Sequence, residues 1–180
     1  MMFRETKLAG LFIIEAEPIV DERGAFVRTF CAREFAARGL ETGFAQCSAS
    51  FNAKAGTLRG LHYQIAPHEE AKLVRVTAGA IYDVAVDLRA DSSTYGQWVA
   101  VELTAANRRM LYIPRGFAHG FQTTVDASEV FYQIAPFYEP ASARGIRWND
   151  PELAIAWPDG AAPILSARDQ AFPFLRDSPP

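Results

Sequence analysis

Histidine and cysteine are scarce in this chain, three of the first and two of the second among 180 residues. Two cysteines, Cys31 and Cys47, are too few for a disulfide framework, so a reducing cytoplasm is the simplest setting. Runs of one charge are lacking as well. Lys and Arg number 18 against 21 Asp and Glu, a net charge of −3, and no basic stretch is long enough to grip nucleic acid or an anionic membrane surface, so neither partner is expected. Long apolar runs are missing: "LAGLFII" follows a single Lys7 and ends in "EAEP", which suits neither a signal peptide nor a membrane span. Internal repeats and low-complexity tracts are absent too.

What remains is ordinary globular material, 49% apolar and 22% charged, in a length that buries roughly 70% of its unfolded surface as one domain. The expectation is a single domain over 1–180, with a β core over about 8–135 and an irregular segment over about 136–180. Period-two alternation dominates. In "AIYDVAVDL", Tyr82, Val84, Val86 and Leu88 share one face while Ile81, Asp83, Ala85 and Asp87 share the other. Apolar groups on both faces mark a central strand with a polar position inside. "LFIIEAE", "AFVRTF", "FAQCSASF", "KLVRVTA", "QWVAVEL", "RMLYIP", "HGFQTTV" and "EVFYQIA" read as further strands, separated by breakers such as Gly24 and Gly79. Only "AREFAARG" reads as a helix, stopped by Gly39. Many short strands with short turns predict an all-β antiparallel sandwich or jelly roll with few helices. After Pro136 the chain, rich in Pro, Asp and Trp, is expected to wrap the barrel, and "RDSPP" to fray.

A metal in such a barrel needs several imidazoles or carboxylates converging on one point. In "RGLHYQIAPHEE" the place two positions beyond His62, often a second histidine in metal-binding barrels, is held by Gln64. His68 reads as a solvated loop residue. "PRGFAHGF" puts His119 where another ligand could stand, so a site of two histidines completed by Glu69 or Glu70 is the metal alternative. Without a metal, His62 reads as a general base, since imidazole titrates nearest neutrality. Its companions are Arg59 three residues earlier, Lys72 opening the next strand, and Tyr132 and Tyr138 later in the chain. A base, a fixed cation and a phenol are the parts needed to remove a proton beside a carbonyl, hold the enolate and return a proton.

The stretches "DERGAF", "GTLRGLHYQ", "KLVRVTAGAIYDVAVDLR", "STYGQW", "YIPRGFAHGF" and "GIRWNDP" occur in order between Leu8 and Asp169. Together they resemble the dTDP-4-dehydrorhamnose 3,5-epimerase family. The resemblance implies a cupin-type jelly roll that uses no metal or other cofactor. It implies a homodimer in which the N-terminal part of one subunit helps complete its partner's site. The substrate it implies is a nucleotide-linked 4-keto-6-deoxyhexose. His62 would take protons from carbons 3 and 5, with Asp169 orienting and balancing its imidazole. Lys72 would hold the enolate oxygen and Tyr132 protonate the opposite face. Tyr138, Gln46, Asp83 and His119 match pocket positions, the last two as each other's partner. Arg59 and Arg23 match positions near the diphosphate and nucleotide, and Phe26 belongs to the same substrate-binding set.

Two departures stand out. Where well-known members run "FFFES" this chain has "AFVRTF", with Arg28 in place of a Glu near the nucleotide, and "QDNHS" becomes "QCSAS", with Ser48 in place of an Asn. A charge reversal beside a base or phosphate can change which nucleotide is accepted. The alternatives are an epimerase of one carbon on a related sugar and, in another class, a metal-dependent cupin oxygenase or a sugar-binding cupin.

Overall fold

The structure is a computed structural model describing residues 1–158, 160 and 162–178. In chain order the strands are β1 (Met2–Glu5), β2 (Phe12–Glu15), β3 (Ile19–Asp21), β4 (Gly24–Phe26), β5 (Gln46–Asn52), β6 (Leu58–Gln64) and β7 (Ala71–Ala78). They continue as β8 (Ala80–Asp87), β9 (Trp98–Thr104), β10 (Met110–Ile113), β11 (Phe117–Thr123), β12 (Ser128–Ala135) and β13 (Ala143–Gly145). Two short helices, α1 (Ala32–Ala36) and α2 (Ala167–Gln170), complete the regular structure beside single 3-10 turns. Pairing is antiparallel along every strand ladder. A six-stranded sheet runs β1-β2-β10-β7-β12-β5 and a five-stranded sheet runs β13-β6-β11-β8-β9. This is the expected all-β sandwich of cupin type.

Alternation explains why the two sheets face one another. Val74 and Val76 of β7, Ile81 and Ala85 of β8, and Leu111, Phe117, Phe121 and Val130 form one core between the layers. The other face of β8, Val84 and Val86, packs with Leu61 under Ile146, Leu153 and Leu175 of the C-terminal segment. The reading of β8 as a strand buried on both sides therefore holds. The outer face of the larger sheet, with Leu73 and Met110, is covered by Phe35 of α1. Between β7 and β8 the chain reverses at Gly79, whose φ of 74° and contact with the Ser128 side chain leave no room for a Cβ.

Several local expectations need correction. "AFVRTF" is a strand only as far as Phe26. The chain then leaves the ladder so that Phe30 can pack edge-on against Phe35 and Phe44, at 4.9 and 5.3 Å between centroids. The C-terminal segment does wrap the sandwich, but it is tied down: Asp150 accepts from the backbone N–H groups of Glu152, Leu153 and Leu175. In "RDSPP", Arg176 and Asp177 lie in a 3-10 turn and Ser178 is buried, so the described part is not frayed; Pro179 and Pro180 lie outside the described residues. His68 is half-buried rather than solvated, with Nδ1 at 2.9 Å from the Ser142 hydroxyl.

Candidate active site

β6 and β11 build one wall of a cleft of about 340 Å³ between the sheets. On a regular strand Arg59 and His62, three residues apart, would point to opposite faces. They line the same cleft because the ladder slips: His119 pairs with His62 but Phe121 with Arg59, three steps on β6 against two on β11. The slip requires the backbones to touch. A Cβ on Gly60 would lie 2.6 Å from Gly120 Cα, and Gly60 has a φ of 131°.

The imidazole of His62 is 41% exposed and faces the cleft. Behind it, Nε2 lies 2.8 Å from Oδ1 of Asp169 on α2. The other carboxylate oxygen of Asp169 accepts from Gly60 N–H at 3.4 Å, and the Ser166 hydroxyl accepts from Asp169 N–H as the N-cap of the helix. Asp169 is only 4% exposed. Burial pushes its carboxyl upward, but the bond and charge of His62, with Gly60 and Ser166, outweigh burial and hold it below its ordinary range. An ionised acceptor keeps the His62 proton on Nε2 and leaves the Nδ1 lone pair to receive another. Phe172 packs edge-on against the ring at 5.7 Å.

A second imidazole–carboxylate pair lies one strand away, with His119 Nε2 at 2.7 Å from Oδ1 of the fully buried Asp83. Tyr132 of β12 stands beside it, ring centroids 6.2 Å apart. Its phenol is pushed well above the ordinary tyrosine value, first by burial and then by the Asp83 charge, against smaller opposing effects of Arg59 and Ser50. It therefore keeps its proton at neutral pH. Lys72 of β7 pairs with Glu70 at 2.7 Å. The cleft thus holds an imidazole backed by a carboxylate, a protonated phenol and a lysine paired with a glutamate.

Arg59, His62, Lys72, His119, Tyr132 and Tyr138 line this one cleft. Gln46 reaches it through Tyr138, whose N–H donates to the Gln46 amide oxygen at 2.6 Å. Arg23, Phe26 and Arg28 are not on its walls. Arg23 pairs with Asp21 in the solvent, while Phe26 and Arg28 edge a separate hollow with Met1, Glu17 and Glu34. The reason is topological: the β3–β4 hairpin bonds to neither sheet.

Among the lining residues that the sequence did not single out are Arg144 on β13, Arg168 on α2 and Ser50 on β5, and Glu70 entered only as a metal ligand. Arg168 had a signal, its position next to Asp169; Arg144 and Ser50 had none. The Gln64 amide is engaged by the backbone, donating to the His68 carbonyl at 2.8 Å and accepting from Glu139 N–H at 2.7 Å. Among the described residues no three His, Cys, Asp or Glu side chains converge as a metal site.

The family model described as dTDP-4-dehydrorhamnose 3,5-epimerase matches residues 5–177. The dTDP-4-dehydrorhamnose 3,5-epimerase of Pseudomonas aeruginosa is 46% identical over 178 residues, 97% of each chain. The Bacillus anthracis epimerase of that name, solved with TDP and PPi bound, is 42% identical with a TM-score of 0.93, over 97% of this chain and 99% of its own. The dTDP-6-deoxy-D-glucose-3,5-epimerase of Legionella pneumophila, solved with dTDP-4-keto-L-rhamnose, is 41% identical with a TM-score of 0.92, over 97% of this chain and 93% of its own.

Proposed function

The chain belongs to the dTDP-4-dehydrorhamnose 3,5-epimerase family, and from that premise we propose how its own residues invert carbons 3 and 5 of dTDP-4-dehydro-6-deoxy-D-glucose to give dTDP-4-dehydro-L-rhamnose. One ketone at carbon 4 acidifies both neighbouring carbons, so one oxyanion site serves both inversions. His62 Nδ1 removes the proton and Asp169 balances the imidazolium. The Lys72 ammonium meets the charge that develops on the carbonyl oxygen, where a preorganised donor is worth most. Tyr132 returns a proton to the opposite face. The observation that carries this reading is the His62–Asp169 pair, 2.8 Å apart, opening on the same cleft as Lys72 and Tyr132.

The β3–β4 hairpin supports a homodimer. Ile19, Val20 and Phe26 are 70, 71 and 67% exposed in the single chain, a patch that calls for a cover. In the dimer, Arg23, Phe26 and Arg28 reach the nucleotide end of the other subunit's cleft, and Arg59 grips the diphosphate in its own. Gln46 and Tyr138 border the substrate together, and His119 with Asp83 closes the cleft floor behind it. A cytoplasmic setting fits the two free cysteines, and among the described residues no helix is long and apolar enough to cross a membrane.

The test is incubation with dTDP-4-keto-6-deoxyglucose in deuterated water, following carbons 3 and 5 by NMR. Exchange and inversion at both carbons are expected. Exchange at one carbon would replace the double inversion by a single one, and no exchange at either would overturn the proposal.

A further inference from the structure

We propose that Glu70 is a positioning residue for this reaction: it holds the Lys72 ammonium at the point from which that cation meets the enolate oxygen. The inference rests on the epimerase reading and adds to it a residue that the proton-transfer scheme leaves idle. Glu70 Oε1 lies 2.7 Å from Lys72 Nζ, and the two side chains are 8% and 9% exposed. Both line the cleft that holds His62 and Tyr132. Glu70 precedes β7 and Lys72 is its second residue. Two positions apart on extended chain, they share a face.

Lysine is a point charge on a flexible four-carbon stem, so a strand fixes its Cα but not its nitrogen. Here the backbone end is fixed from both sides, Lys72 pairing with Ile113 of β10 and Ile134 of β12. The nitrogen is fixed by Glu70. A buried ammonium also needs a counter-charge, or it leaves its post for water. The other carboxylates at the site are committed elsewhere, Asp169 to His62 and Asp83 to His119. The remaining charged side chains on the walls, Arg59 of β6, Arg144 of β13 and Arg168 of α2, are cations that repel Lys72. Glu70 is thus the carboxylate that answers it. Nor does the pair disarm the lysine, because an ammonium has three N–H donors and can keep Glu70 on one while presenting another to the oxygen.

The experiment uses the full chain with dTDP-4-keto-6-deoxyglucose and reads deuterium exchange, inversion, kcat and KM for the wild type, Glu70→Gln, Glu70→Asp, Lys72→Met and the Glu70→Gln/Lys72→Met double variant. Glutamine keeps the shape and drops the charge. We expect Glu70→Gln to lower exchange and inversion together by about tenfold or more, with KM held within about twofold. Glu70→Asp, which keeps the charge and withdraws it by one methylene, should fall between. In the Lys72→Met background, Glu70→Gln should change kcat less than about twofold, since a residue acting through Lys72 has nothing left to act on. An unaltered kcat in Glu70→Gln, or an equal loss in both backgrounds, overturns the proposal. Should the Gln variant not fold, Glu70→Asp decides: a lower kcat at constant KM supports the role and an unchanged kcat rejects it. Wild-type exchange with an unaffected Glu70→Gln sinks this inference alone, whereas a wild type that exchanges nothing sinks the epimerase reading and this inference with it.

Discussion

Asp169 accepts the Nε2–H hydrogen bond of His62 and Tyr132 keeps its own proton, so the two groups meet a substrate in complementary states, one ready to accept and one to donate. Their removal should therefore have different signatures. In deuterated water, His62→Ala should lose exchange and inversion alike by about 10² to 10⁴-fold, the usual worth of a positioned base. Tyr132→Phe should retain exchange while inversion falls, because the enolate still forms and is reprotonated from the His62 side. Normal inversion by the phenylalanine variant would remove Tyr132 from its role. At this scale the sequence is legible where a residue sits inside a motif, as His62 and Lys72 do. It is opaque where a contact spans the chain. Asp169 stands 107 positions from His62, and nothing in "SARDQAF" marks it as buried; only the family resemblance singles it out. Gln64 is opaque for another reason, since a satisfied amide and a lost metal ligand look the same in one letter.

Elements are legible to the extent that they keep strict alternation. β8 does, and both its faces follow from the order of its residues alone. β6 does not, because the extra residue at Gly60 inverts its phase; reading period two through "LRGLHYQ" would send Arg59 and His62 to opposite sides. Gly120→Ala tests whether this slip sets the site. Its Cβ would come within 2.8 Å of the Arg59 carbonyl and 2.9 Å of a Leu61 methyl, forcing β6 away from β11. Thermal melts should show a loss of about 1–3 kcal/mol, the usual penalty of overpacking, and kcat should drop because His62 moves with its strand. A variant with wild-type kcat would show that the bulge is not what places the base.

The loop from β8 to β9 obeys electrostatics instead of period. Asp87, fully buried, accepts from the Arg89 guanidinium at 2.7 and 2.9 Å and from the hydroxyls of Ser92 and Thr94 at 2.6 and 2.7 Å. Burial pushes its carboxyl up, yet these bonds win and bring it down to about 2. A carboxyl depressed in the folded state stabilises the protein above its unfolded value, and that stability is lost as pH falls through the folded one. Roughly 2 kcal/mol should therefore disappear between about pH 4 and pH 2. Asp87→Asn should flatten this part of the curve in denaturant melts run across that range. An unchanged acid limb would mean that other carboxyls set it.

The whole molecule is where one chain says least about itself. An exposed apolar hairpin reads the same in the sequence whether it covers a partner or merely protrudes, and pairing patterns within a chain cannot distinguish the two. If the β3–β4 hairpin completes the other subunit's cleft, the base and the hairpin that serve one site come from different chains. Each damage can then be repaired in trans. His62→Ala dimers lack the base at both sites, and Arg23→Ala/Phe26→Ala dimers lack the hairpin contacts at both. Mixed and allowed to exchange subunits, half of the dimers become hybrids, each with one site made of an intact His62 and an intact hairpin. Because a two-fold dimer has two equivalent sites, about a quarter of wild-type activity should return from two inactive parents. If the hairpin instead served its own chain's cleft, every hybrid would carry one site without a base and one without a hairpin, and nothing would return. Mass analysis of the mixture shows whether hybrids formed. Hybrids without activity would place the hairpin's role, if any, within its own subunit.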